Sequence, residues 1–348
     1  MRRGLLSWSK EEIPPAALDA RVGRLQRAMR AAKLDAVLAY TSFAQPAAVQ
    51  WLSNFVPYWS HAVLLIPPEG LPSLLAALTP RVHPWIRTVA HLGELVSAPK
   101  LGEKAAALLK ERFPGARRAG VIGLASTPWS VVQPLSDGLD GTELVDASAI
   151  YTSVRQPSDD VEHMLAARSE AIARAALAAI PHTAARASDV IAAVDSSARL
   201  AGAEEVLQRI APDLERHPTL LRMEGDAVLG ARYAVEISVA YRGAWIRLAT
   251  CVARGGREPS SWQEARTWFE TAAGHIGDNP AAALSGAPGK LQSWTLEAST
   301  CLQPLSVIAA SGEPTGFALP GGSNAVLSLR LGLADGPWLA SRPCIVRP

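Results

Sequence analysis

The sequence predicts two domains, an α/β domain at the amino-terminal end and an α+β domain after it. Three observations carry this. The chain has 348 residues, 49% of them hydrophobic, enough to bury more than one core. Over roughly the first 150 residues, helical and strand patterns alternate, as they do where helices cover a mixed sheet. From about Gln156 the order changes to two helices followed by a strand-rich half. The boundary is set so that the domains are residues 1–153 and 154–348.

Leu18, Val22, Leu25, Met29 and Ala32 recur at helical spacing, and DAVLAY (Asp35–Tyr40) reads as the buried strand that follows. HAVLLIPPEGLPSLLAAL reads as two strands joined by a Pro/Gly turn at Pro67–Pro72. EKAAALLKERF is a helix, AGVIGL a strand, WSVVQPLSDGL a helix and TELVDAS a closing strand. In the second domain, Ser158 is placed to cap the helix VEHMLAARSEAIARAALAAI, with Asp159 and Asp160 favouring its dipole. ASDVIAAVDSSARLAG is the second helix, and Gly202 its stop. From Glu205 the pattern is mostly strands, interrupted by the amphipathic helix SSWQEARTWFETAA. It closes with AVLSLRLGL and a short strand near CIV.

Composition excludes several roles. Net charge is +2 with histidine neutral, and no Lys/Arg run exceeds two residues, so neither nucleic acid nor an anionic membrane is expected as a partner. Cys251, Cys301 and Cys344 are widely spaced without a CxxC, which reads as ordinary thiols rather than disulfides or a zinc site. MRRGLLSWSKEEIPP lacks the apolar core of a secretion signal, and no stretch approaches the ~20 apolar residues of a membrane span. A cytoplasmic protein is expected. GxGxxG after a strand, GxxxxGK[ST], HExxH and GxSxG are not found.

The stretch VEISVAYRGAWIRLATCVARG, Val235 to Gly255, alternates and turns as a hairpin of two long strands. Together with RLQRAMRAAKLDAVLAY, AVQWLSNF, HAVLLIPPEG, VRQPSDDVEHMLAARSEAI, EGDAV (Glu224–Val228) and LPGGSNAVLSLRL, it resembles the creatinase/prolidase family. That resemblance implies a creatinase/prolidase-like α/β domain, then an α+β "pita-bread" domain. Here the second domain would be abridged, because one helix and a Pro/Gly-rich segment stand where the family has two long helices.

Family peptidases hold two metal ions with two aspartates, a histidine and two glutamates, and the paired ions acidify a bridging water. Setting YRGAW (Tyr241–Trp245) on the family's hairpin turn puts Glu236 at the first aspartate and Arg247 at the second. An arginine stays protonated and has no lone pair to offer a metal. Aligning AVLSLRL puts Arg330 at a glutamate position, and GHIG (Gly274–Gly277) reads as a helix end rather than a ligand histidine. No metal or other cofactor is expected.

Creatinase-like relatives work without metal, through a histidine beside a glutamate. The resemblance places His217 in that role with Glu236 as its partner, and a pKa near 6.5 suits proton transfer. The rival readings are a solvated loop histidine and a Glu236 that pairs structurally with Arg247 across adjacent strands. Glu297 in SWTLEAS is a further candidate carboxylate. Arg247 and Arg330 turn a formerly negative site positive, so a small substrate with an anionic group is the expected ligand, unless both arginines point to solvent. By the same resemblance the protein is a homodimer, in which PYWSH, with Trp59 and His61, contacts the substrate across the interface. Three functions follow. The leading one is a metal-independent enzyme of C–N hydrolase type on a small amino-acid-like or amidine-like substrate. The others are an inactive peptidase homologue serving as a binding or scaffold module, and an Xaa-Pro metallopeptidase whose ligands lie elsewhere.

Overall fold

The computed structural model describes residues 7–277, 279–312 and 319–348. They form two compact units, one running to Arg155 and including Thr300–Pro304, the other comprising Gln156–Ser299 and Leu305–Pro348.

In the first unit the elements run α1 (Pro15–Ala31), β1 (Ala36–Ser42), α2 (Ala47–Ser53), β2 (His61–Ile66), β3 (Ser73–Ala76) and α3 (His83–Val89). After them come β4 (Glu94–Ser97), α4 (Leu101–Arg112), β5 (Arg118–Ile122), α5 (Trp129–Asp137), β6 (Glu143–Asp146) and α6 (Ser148–Arg155). The strands make one mixed sheet in the order β4-β3-β2-β1-β5-β6. Alternation along β1 explains its two-sided burial. Val37 and Ala39 pack with Val22, Leu25 and Met29 of α1. Ala36 and Leu38 pack on the opposite face with Leu101 and Leu109 of α4 and Val131 of α5. Helices α4 and α5 approach so closely that a Cβ on Gly102 would lie 2.3 Å from the Val131 carbonyl oxygen, which is why a glycine stands there.

AVQWLSNF forms a short helix and its cap. Its apolar residues Val49, Trp51 and Leu52 are buried on the short helix α2, which Asn54 ends in the left-handed conformation at φ 62°.

The second unit opens with α7 (Asp160–Ala178), α8 (Ala187–Leu200), β7 (Glu205–Ala211), β8 (Arg232–Tyr241), β9 (Ala244–Ala253) and α9 (Ser260–Gly274). It closes with α10 (Pro280–Ala283), β10 (Lys290–Ala298), β11 (Ser306–Ala310), β12 (Asn324–Leu333) and β13 (Gly336–Ile345). The cap of α7 is Asp159, not Ser158. Asp159 accepts from the Glu162 amide while Glu162 accepts from the Asp159 amide. Ser158 instead accepts from the Asn324 amide at 3.0 Å. Asp226 of EGDAV accepts from the Ser188 amide and from Arg186, which fastens the start of α8.

The seven strands lie in the order β11-β10-β12-β13-β9-β8-β7. Arg242 and Gly243, at φ 46° and 79°, make the two-residue turn between β8 and β9 that a long twisted hairpin favours. One face of the sheet carries Val235, Ile237, Val239 and Leu248 against α7 and α8. The same face continues through Leu327, Leu329 and Leu331 of β12 against Trp262 and Phe269 of α9. Between β9 and β10 the described helices are α9 and the four-residue α10. Among the described residues no helix is long and apolar enough to cross a membrane.

Candidate functional site

Because strand side chains alternate, the face turned away from α7, α8 and α9 carries Glu236 and Ser238 of β8, Arg247 of β9, Glu297 of β10, and Ser328 and Arg330 of β12. On it a chain of opposite charges forms. Arg209 of β7 donates to Glu236 Oε1 at 2.6 Å. Arg247 Nε lies 3.5 Å from the same oxygen and donates to Ser238 Oγ at 3.1 Å. Arg247 Nη1 donates to Glu297 Oε2. Strands β13 and β12 lie between β9 and β10. In a flat sheet the backbones of Arg247 and Glu297 would stand ~14 Å apart, so side chains that rise from the sheet meet only where it curls toward this face. The charged face is therefore concave.

Both glutamates are 5% exposed. Burial pushes the Glu236 carboxyl above its ordinary value, opposed by Arg247 and Arg209 and assisted by the charge of Glu297. Burial likewise pushes the Cys251 thiol up to about 12, which leaves it inert near neutrality.

The structure thus brings together Glu236, Arg247 and Glu297. Arg330 lies on the same concave face, where it shares a cavity with Glu236. His217 stands apart, on an exposed turn where its amide donates to the Asp213 carbonyl at 2.7 Å; the following residues Pro218–Leu220 line that cavity. His275 of GHIG ends α9, its Nδ1 2.8 Å from the Thr271 carbonyl oxygen. In the other unit, Trp59 is 57% exposed and stacks on Trp85, and His61 Nδ1 lies 3.4 Å from the Tyr40 hydroxyl. Sequence reasoning missed Arg209. No motif marks it, and only the β7–β8 register sets it opposite Glu236. Glu297 had a usable signal, since Ser293, Thr295 and Glu297 alternate with buried Trp294 and Leu296.

The donor set does not suit a pair of divalent metals. The two neighbouring carboxylates are both engaged by a guanidinium, and among the described residues no group of three or more His, Cys, Asp or Glu could hold a metal ion.

The fold, an amino-terminal α/β domain and a pita-bread domain, is similar to that of several solved structures. The Xaa-Pro dipeptidase of Bacillus anthracis superposes with a TM-score of 0.69 at 16% identity, over 94% of this chain and 95% of that one. The X-Pro aminopeptidase of Thermotoga maritima MSB8 gives 0.69 at 13% identity, over 92% and 95%. The aminopeptidase PepP of Pseudomonas aeruginosa gives 0.69 at 12% identity, over 96% and 93%. No curated protein matches the chain significantly in sequence. Residues 21–156 match the family described as Creatinase/Prolidase N-terminal domain.

Proposed function

We propose that the chain is a creatinase/prolidase-fold protein that binds a small molecule with an anionic group on the concave face of its carboxy-terminal sheet, without a dinuclear metal centre. One observation carries this reading. Arg247 sits between Glu236 and Glu297, so a fixed positive charge takes up the carboxylates that a divalent ion would need. The test is to incubate the purified protein with Mn²⁺, Co²⁺ or Zn²⁺ and Xaa-Pro dipeptides. No stoichiometric metal and no cleavage are expected; bound metal together with chelator-sensitive cleavage would overturn the reading.

A metal-independent C–N hydrolase is the second reading, and a specific placement favours it. Pro218–Leu220 line the cavity that Glu236 also lines, which brings the His217 turn to its edge. Histidine there would shuttle the proton while Glu236 orients the substrate. If turnover of a small amide or amidine is found, His217→Ala should abolish it while leaving binding intact; unchanged turnover removes His217 from the chemistry. Self-association belongs to the same proposal, supported by the exposed Trp59, which stacks on the half-buried Trp85, since large aromatics are enriched in interfaces. A monomer by light scattering at micromolar concentration would remove it.

A further inference from the structure

The concave face carries a solvent-open cavity of about 190 Å³ beside the chain of ion pairs. Glu236 and Arg330 both line it, with the hydroxyl-bearing Thr295, Ser328 and Ser341 as further lining residues. Register explains how strands so far apart in order share it. Glu236 pairs with Ala249, Ala249 with Ser341, Ser341 with Ser328 and Ser328 with Thr295, one continuous row across the curled sheet. Arg330 stands two residues beyond Ser328 on the same side of β12.

The two charged groups at this cavity are not equally satisfied. Arg330 has no ion pair and no hydrogen bond among the described residues, and its Nε is buried without a partner, as is Ser328 Oγ. A guanidinium cannot shed its proton to escape that cost, so positive charge stands unbalanced there. Glu236 accepts its hydrogen bond from Arg209 on Oε1, and Arg247 also approaches Oε1. Oε2 accepts none. The same cavity therefore offers a cation that lacks an anion and a carboxylate oxygen that lacks a donor.

We infer that this cavity is a subsite for a small zwitterion, an amino-acid-like molecule whose carboxylate meets Arg330 and whose ammonium meets Glu236 Oε2. This deepens the proposal of a metal-free ligand site and rests on it. Size agrees, because the cavity is smaller than the ~300–1,000 Å³ of pockets that hold drug-sized ligands. Charge selects against a phosphate: among the described lining residues Arg330 is the one guanidinium, and the Glu236 carboxylate would repel a second negative charge.

The experiment is a titration of the intact protein with L-alanine, acetate and ethylammonium in turn, read by ligand-observed NMR. L-alanine is expected to bind saturably and about tenfold more tightly than acetate, the scale of one additional charged hydrogen bond. Arg330→Gln should weaken both L-alanine and acetate by about tenfold or more, whereas Glu236→Gln should weaken L-alanine by about tenfold and leave acetate bound no more weakly than before. Should either variant fail to fold, Ser341→Val fills the cavity without touching a charge and should displace L-alanine equally. Equal binding of L-alanine to wild type and Arg330→Gln or Ser341→Val overturns the inference, and so does tighter binding of inorganic phosphate than of L-alanine. Metal-dependent Xaa-Pro cleavage would remove the underlying reading, whereas a metal-free protein that ignores L-alanine removes this inference alone.

Discussion

Arg247 and Glu297 hydrogen-bond to each other from strands that are not neighbours, across β13 and β12. Loss of the arginine would leave Glu297 buried without its cation and Glu236 with Arg209 alone. Arg247→Met is therefore expected to cost about 3–5 kcal/mol, the range for removing one member of a buried ion pair. Arg247→Met combined with Glu297→Leu should cost less than that single change, because no charge is then stranded. Urea unfolding of the wild type, both single variants and the double variant measures the coupling. Additive losses would mean that the contact contributes nothing to stability.

The Glu236 carboxyl makes stability depend on pH in a direction opposite to that of an ordinary paired acid. Its pKa is raised in the folded protein, mainly by burial, from an ordinary value of 4.5. The folded state then binds the proton more tightly than the unfolded one, so this contribution is complete below the ordinary value and is lost as pH rises through the folded midpoint. Wild type should lose stability relative to Glu236→Gln across that window. A relative gain would show that Arg247 and Arg209 outweigh the burial.

Asp226 behaves in the usual sense. The hydrogen bond from Arg186, followed by that from the Ser188 amide, holds its carboxyl down at about 2 against an ordinary 3.8. Its contribution is present above the ordinary value and lost as pH falls through about 2. Carboxyl-carbon NMR should place the Asp226 midpoint near the lower figure, and Arg186→Ala should return it toward 3.8.

Much of the fold was legible because local signals agreed with it. Tyr241-Arg242-Gly243-Ala244 carries a two-residue turn between alternating strands, and the observed turn falls there. The leucine and valine spacing from Leu18 to Met29 marks α1, and those residues are buried. β13 was harder. It was expected as a short strand near CIV but runs from Gly336 to Ile345, because Pro337 and Pro343 break the strand pattern while the backbone still pairs with β12. Of the site, Glu236 and its pairing with Arg247 followed from the hairpin, since both residues belong to one local unit. The second partner of Arg247 did not. Glu297 lies fifty residues further along the chain, and only the curl of the sheet brings it within reach.

Where the sheet curls, Ser341 and Ala249 are the one registered pair between β13 and β9 among the described residues. Side chains add to that seam: Cys251 Sγ accepts from the Leu339 amide at 3.3 Å, and Arg247 reaches across to Glu297. A joint of this kind is mechanically unlike a hydrogen-bonded ladder, whose spacing is fixed by the peptide unit. The width of the cup is instead set by the length and charge of a few residues, so that substitutions at the seam can open or narrow it while the ladders on either side stay intact.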